Sequence, residues 1–326
     1  MIPFFVVDRP VSLEILKGFF AEVLDCKFGI LTHAFTSSNF MEKFRNFPFN
    51  TPLKYSNYKD SNEINLQISE NILRFVDSGI FLKKEVPYDA LFEAYEFLNA
   101  DYGAIIDYLN DKERTLKSAE EALRFYRRGN WKFKLVGVAQ GKTLEEYMEC
   151  YESLRNMGYE YIAVGGLLKR NGSSNYVRLS CEEFLKKLLI SIRETFSPDW
   201  VFTFGIYNPK RHSLLEDLGV WGADYKGWIF KYEEDYSFVL DYLNQLEIAD
   251  SERNELMRLF LLYSAKKKDR SLYYSKSKEK REIFALRKEI ECSLAKLNLS
   301  FQFFRFKRVR DNLKSLFENF VSSSKL

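Results

Sequence analysis

Residues 134–167 read KLVGVAQGKTLEEYMECYESLRNMGYEYIAVGGL, and this stretch decides the fold. Lys134–Ala139 is a short, β-rich apolar run that stops at Gln140-Gly141. Thr143–Met157 is amphipathic and opens on Thr-Leu-Glu-Glu, a capping box in which the threonine and the later glutamate satisfy N–H groups that a helix start leaves unpaired. Tyr161–Val164 is a second apolar run and ends on Gly165-Gly166-Leu167. Strand, helix and strand in this order make a parallel pair with the helix as its crossover.

The same unit recurs on both sides. Upstream, Phe28–Phe35 reads as a strand, as does Ile72–Val76, which ends at Asp77-Ser78-Gly79. Tyr88–Leu98 is helical, Tyr102–Asp107 a strand and Lys112–Arg128 a helix. Downstream come a helix near Ser180–Thr195, a strand Trp200–Ile206, a short helix Pro209–Leu218 and a strand or strand end at Gly222–Trp228. So many alternating units favour a closed (β/α)8 TIM-type barrel over an open doubly wound sheet. After about Asp235 the pattern turns helical, with Tyr236–Leu246, Glu252–Lys267 and Lys278–Leu297, and Ser264–Lys280 reads as a mobile connection. The expected organisation is an α/β barrel domain over 1–250 and a basic helical appendage over 251–326 packed on it.

Composition narrows the function classes. With 326 residues, 46% of them hydrophobic, the chain buries a large core without help from metals or disulfides. Its cysteines, Cys26, Cys150, Cys181 and Cys292, form no CxxC pair, a pattern of reducing compartments that predicts a cytoplasmic protein. The N-terminal Met-Ile-Pro-Phe-Phe-Val-Val-Asp-Arg-Pro lacks the basic start of a signal peptide, and no apolar run is long enough to span a bilayer. Histidines are only two, His33 and His212, which excludes a barrel hydrolase built on several His metal ligands. His33 ends the first predicted strand, where a satisfied core or cap role is expected. No P-loop, dinucleotide fingerprint or serine-hydrolase arrangement is present, so no cofactor is expected.

Net charge is +3, but Arg253–Arg310 carries 17 Lys+Arg against 6 Asp+Glu, which leaves −8 for the first 252 residues. An acidic body with a basic C-terminal segment points to a partner rich in phosphates, although a solvated helix face would look the same. The candidate nucleic-acid contacts are Lys266, Lys267, Lys268, Arg270, Arg305, Lys307, Arg308 and Arg310, with Tyr273 and Tyr274 alongside. Phe301–Arg310 interleaves aromatics with cations, as stacking on bases and pairing with phosphates requires; a helix packing its phenylalanines on the barrel is the bland alternative.

Polar and glycine residues gather where the predicted strands stop: Asp77-Ser78-Gly79, Asp107, Gln140-Gly141, Gly165-Gly166, Gly205 and Asp224. In a parallel barrel these ends converge on one mouth, where active sites of the fold sit. A carboxylate there is costly unless it is hydrogen-bonded or working, and each one alone could instead be a helix N-cap.

Three of these strand ends, Phe75-Val-Asp77-Ser78-Gly79, Val138-Ala-Gln140-Gly141 and Tyr161-Ile-Ala-Val-Gly165-Gly166-Leu167, resemble signatures of the tRNA-guanine transglycosylase superfamily in order and spacing. The resemblance covers about Phe75 to Trp228. Gln140–Tyr147, Phe204-Gly205-Ile206 and Ala223-Asp224 followed by Trp228 look closer to the DpdA-type branch, which inserts 7-deazaguanine bases into DNA, and no PUA-like RNA-binding domain is evident. The resemblance implies a pentosyltransferase that exchanges guanine for a free 7-deazaguanine, in DNA rather than tRNA. Asp224 would be the nucleophile at C1′ and Asp77 the general acid/base, the division of labour of retaining glycosidases. Asp107 and Gln140 would read the base edge, the Gly165-Gly166-Leu167 backbone would add hydrogen bonds, and Ser78, Gly79, Gly141 and Gly205 would shape the pocket. A helper protein or a second copy of the chain would be a compatible partner.

The chain also departs from that pattern. Gly222-Ala-Asp224-Tyr-Lys-Gly227-Trp228 aligned without a gap puts Gly227 at the nucleophile position; the Ala-Asp…Trp alignment makes Asp224 the nucleophile. Ile80 replaces the family's second glycine, and the Cys-x-Cys-x-x-Cys…His zinc site is absent, so no structural zinc is expected. Two other readings stay open: a catalytically inactive transglycosylase-like protein that binds nucleic acid or partners an active subunit, and an unrelated barrel enzyme for a small phosphorylated metabolite.

Overall fold

The computed structural model describes residues 1–20, 27–50, 66, 68–79, 86–167, 169–171, 174–176, 179–230, 243–244, 247–268 and 277–297. They divide into two compact units, one running to Lys226 and one beginning at Gly227.

The first unit is a closed barrel of eight parallel strands. In chain order its elements are β1 (Ile2–Val6), α1 (Pro10–Phe20), β2 (Phe28–His33), α2 (Ser38–Arg45), β3 (Ile72–Asp77), α3 (Tyr88–Phe97), β4 (Tyr102–Ala104), α4 (Lys112–Tyr126), β5 (Lys134–Ala139), α5 (Leu144–Met157) and β6 (Tyr161–Val164). A small antiparallel hairpin, β7 (Lys169–Asn171) with β8 (Ser174–Tyr176), precedes α6 (Leu179–Phe196). Then follow β9 (Val201–Thr203), a 3-10 turn Pro209–Arg211, α7 (His212–Asp217) and β10 (Gly222–Tyr225). Each barrel strand pairs with its barrel neighbours, and β10 closes the ring on β1 with Phe4 opposite Asp224.

The strand expectations hold in place but not in length. Tyr102–Asp107 is extended only to Ala104, Trp200–Ile206 only over Val201–Thr203, and Gly222–Trp228 stops at Tyr225. After one further backbone bond, from the Ile105 N–H to Val136 and from the Phe204 N–H to Val164, the chain leaves the ladder and turns into the mouth. The expected helix start at Thr143 is present: its hydroxyl accepts from the Glu146 N–H at 3.3 Å, and the Glu146 carboxylate accepts from the Lys142 N–H at 2.6 Å. Gly158, left-handed at φ 100°, ends the same helix.

Side chains alternate in and out along each strand, and the inward set fills the barrel with aromatic rings. Phe4, Phe75 and Phe202 meet at its centre, with ring centroids 4.6 Å apart for Phe75–Phe202 and 5.1 Å for Phe4–Phe202. Towards the strand N-termini lie Tyr102, Tyr161, Trp200 and Trp221, the two indoles 4.9 Å apart, with Lys134 over the Tyr102 ring at 5.2 Å. Gly29 on β2 exists to make room: a Cβ there would sit 2.0 Å from the Phe4 ring. This plug closes one end of the barrel.

The second unit contains α8 (Gly227–Phe230), α9 (Asp250–Lys268) and α10 (Ser277–Lys296). Leu256, Leu259, Phe260 and Tyr263, at the spacing of one helix face, pack with Leu243, Ile290 and Leu294 into a core of their own. Ser264–Lys268, expected in a mobile connection, continues α9 as helix beyond Tyr263, the last of its core residues. Lys266 on that turn is paired with Glu282 at 2.7 Å. Among the described residues no helix is long and apolar enough to cross a membrane.

Candidate active site

The alternation that places Phe75 inside places Asp77 inside as well, two residues nearer the C-terminal end of β3. The same rule carries Gly222 to Asp224 on β10, Phe202 to Phe204 after β9, Val138 to Gln140 after β5, and Leu31 to His33 on β2. All converge on one mouth. Helix capping does not account for them: α4 is capped by Asp111, whose carboxylate accepts from the Arg114 N–H at 3.1 Å, and α5 by Thr143. Asp107 and Gln140 thus cap neither helix.

Three carboxylates gather there. Asp77 is pushed up to about 7, by burial first, then by the nearby charge of Asp107, with Asp224 adding to it. The Ser78 and Gly79 N–H groups bond its carboxylate and pull the other way. Asp224 is 6% exposed and also lies at about 7, raised by burial and held down by its bond from the Gly205 N–H and by the positive charge of Lys226. Asp107 is raised by burial and moderated by Gln140, whose Nε2 donates to Asp107 Oδ2 at 2.6 Å. Two carboxyl groups poised near neutrality in one chamber allow one to be ionised while the other keeps its proton, which is what paired acid and nucleophile chemistry requires.

The expected glycines are in place around this set. Gly166 is left-handed at φ 70°, and a Cβ there would lie 2.5 Å from Gln140 Oε1; at Gly165 it would lie 2.4 Å from Gln140 Nε2. The space beside both glycines is thus filled by the Gln140 amide, which fixes its orientation towards Asp107. The Gly165 carbonyl accepts from the Tyr147 hydroxyl at 2.8 Å, and Leu167 is buried beyond it. Gly141 lies against the start of α5, where a Cβ would meet the Tyr147 N–H nitrogen at 2.8 Å. Ser78 is buried and its hydroxyl has no hydrogen-bond partner among the described residues, and Gly79, left-handed at φ 73°, lies beside the His33 ring. Gly205 is left-handed at φ 74°, the conformation that turns its N–H onto Asp224.

Three further groups belong to the mouth. His33 stands opposite Asp77 in the β2–β3 register and is half-buried, its pKa lowered by burial and by Lys226 and raised by Asp8. Asp8 and Lys226 pair across the rim at 3.7 Å. Period-two alternation from Phe4 reaches Asp8, and from Asp224 reaches Lys226, so the signal for both was in the strands themselves. His212 lies elsewhere, buried beside the Tyr207 hydroxyl. No cluster of three metal-ligating side chains occurs among the described residues. Of the expected nucleic-acid contacts, only Lys266 has a described side chain; Lys267 and Lys268 have described backbone in α9, while Arg270, Tyr273, Tyr274, Arg305, Lys307, Arg308 and Arg310 lie outside the described residues, as does Ile80.

No known protein-family model and no curated protein sequence matches the chain. Solved structures do. A protein described as a probable tagatose 6 phosphate kinase from Sinorhizobium meliloti 1021 is 12% identical with a TM-score of 0.55, over 98% of this chain and 99% of that one. An aldolase from Escherichia coli K12 is 11% identical with a TM-score of 0.44, over 78% and 84%. The first likeness shows the fold: the chain is a (β/α)8 barrel. Its mouth defines it further, as a barrel with buried carboxylates at the C-terminal strand ends.

Proposed function

We propose that the chain is a base-exchanging glycosyltransferase acting on nucleic acid, with DNA favoured over tRNA as the substrate. What carries the reading is the pair Asp77 and Asp224, on inward positions of β3 and β10, both buried, both held near neutrality and close enough for the charge of Asp224 to raise Asp77. In the proposed reaction the Asp224 carboxylate attacks C1′ of a guanosine as the C1′–N9 bond breaks, and the departing guanine takes a proton from Asp77. An incoming 7-deazaguanine then loses its N9 proton to Asp77, attacks C1′ and releases Asp224. The Gly205 N–H and Lys226 favour the ionised form of Asp224 that attack needs. Under the ungapped alignment Gly227 takes the nucleophile position and the chain is inactive; the burial of Asp224 at the strand end is what favours the Ala-Asp…Trp alignment. Asp107, with Gln140 fixed on it, stands at the same mouth and suits recognition of a purine edge.

The test is base exchange on DNA and on tRNA, each carrying labelled guanine, with a 7-deazaguanine added. The expected result is loss of label from DNA, abolished by Asp77→Ala and by Asp224→Ala. Loss that persists in Asp224→Ala refutes the covalent assignment. Binding of nucleic acid with no release from either polymer favours the catalytically inactive reading.

A further inference from the structure

The mouth poses an electrostatic problem for the proposed substrate. Asp77, Asp107 and Asp224 line it, within a body that is net acidic over its first 252 residues. A phosphodiester chain brought to that surface is repelled unless cations nearby receive it. One cavity on the same face supplies them.

It measures about 530 Å³ and lies between the start of α3, the loop after β4 and the first turns of α4. Val86, Pro87 and Ile106 form its apolar side, and Tyr88 with Ser118 its polar floor. The floor is rigid: the Tyr88 hydroxyl bonds Ser118 Oγ at 2.6 Å and accepts from the Ile106 N–H at 3.0 Å. Arg114 and Lys117, three residues apart and so on one face of α4, stand at the rim and are exposed, with Glu121 one turn further on. The Arg114 guanidinium lies over the Tyr108 ring, 3.8 Å from its centroid, which holds it at the cavity. Asp107 sits in sequence between the lining residues Ile106 and Tyr108, so cavity and carboxylate site share one loop.

We propose that this cavity binds a backbone phosphate next to the reacting nucleotide, gripped by Arg114 and Lys117. The inference rests on the nucleic-acid reading above and adds to it a strand path, outward over the β4–α4 loop. Planar guanidinium on a tyrosine face and a second cation one turn along suit a phosphodiester, and the apolar wall suits the adjoining sugar.

The experiment measures affinity for a short DNA and for tRNA across a salt series, comparing wild type, Arg114→Gln/Lys117→Gln, the charge-keeping Arg114→Lys/Lys117→Arg, and Lys132→Gln. Lys132 is an exposed cation preceding β5, at the closed end of the barrel. Loss of the one phosphate contact lowers the slope of log affinity against log salt by about 1, with roughly tenfold weakening at low salt. That result in the double glutamine variant, with a wild-type slope in the charge-keeping and Lys132→Gln proteins, supports the inference. An unchanged slope overturns the inference and leaves the base-exchange reading standing. A wild type that binds neither polymer at low salt overturns both. Binding of inorganic phosphate that the glutamines abolish, with polymer affinity unaffected, assigns the cavity to a small phosphorylated ligand and overturns the inference alone.

Discussion

Replacing Asp224 by Asn should stabilise the barrel above neutral pH and leave it unchanged in acid. In the folded protein the Asp224 carboxyl titrates at about 7, against an ordinary value of 3.8. At 1.36 kcal/mol for each pH unit, the rise corresponds to on the order of 4 kcal/mol by which ionisation favours the unfolded chain. The sign follows from proton binding. Below about pH 4 both states hold the proton and nothing is lost; between about pH 4 and 7 only the unfolded state ionises, and stability drains away; above about 7 the loss is complete. Asn has no proton to lose, and its Oδ1 can still accept from the Gly205 N–H, so its stability lacks this slope. Thermal melts followed by the fluorescence of Trp200 and Trp221, stacked inside the barrel, read the difference. The variant should match wild type near pH 4 and exceed it by on the order of 10 °C at about pH 8. A gap that does not change with pH, or a variant less stable than wild type at pH 8, refutes the argument that Asp224 is held at the mouth against its own ionisation.

Base exchange should follow a bell-shaped pH profile centred near 7, because Asp224 must be ionised and Asp77 protonated while each titrates at about 7; a flat profile between about pH 5 and 9 in single-turnover kinetics would contradict it. Gln140→Leu removes the donor to Asp107 and should cost about 1–3 kcal/mol in denaturant unfolding above the pKa of Asp107, with the loss shrinking in acid, where a protonated Asp107 needs the donor less. Gly29→Ala drives a methyl into the Phe4 ring and should destabilise the barrel by about 1–3 kcal/mol or prevent folding, seen in the same melts.

The barrel was legible because its strands and helices differ in period and its helix starts carry chemical marks. Thr143 and Glu146 are such marks, and the helix begins where they stand. β1 was not read as a strand, since Ile2–Val6 is short and one of its two parallel partners, β10, lies far along the chain. The hairpin Lys169–Asn171 with Ser174–Tyr176 lacks a buried face in its sequence to announce it. The strands expected to end at Asp107 and Ile206 stop three residues earlier, at Ala104 and Thr203, because the apolar runs continue past the ladder into the mouth.

That overrun is also why the site could be read at all. A residue just beyond a barrel strand keeps the strand's inward parity for a step or two and faces the chamber. Gln140 and Phe204 occupy such positions, and so do Asp8 and Lys226, which lie outside the motifs; Asp107, three residues past Ala104 and off the inward parity of Tyr102, reaches the mouth through its loop. Each carboxylate there bears a cost that its neighbours only partly offset: Asp224 has two amides and one lysine, Asp107 one glutamine and its own amide, Asp77 two amides against two like charges. A stability-driven mouth would have paired these acids with arginines or replaced them with apolar groups, as the opposite end of the same barrel does with Trp200, Trp221 and Tyr102. Three acids at the open end of a barrel whose other end is sealed with rings carry an electrostatic cost that packing does not require, which is what the proposed acid and nucleophile roles would call for.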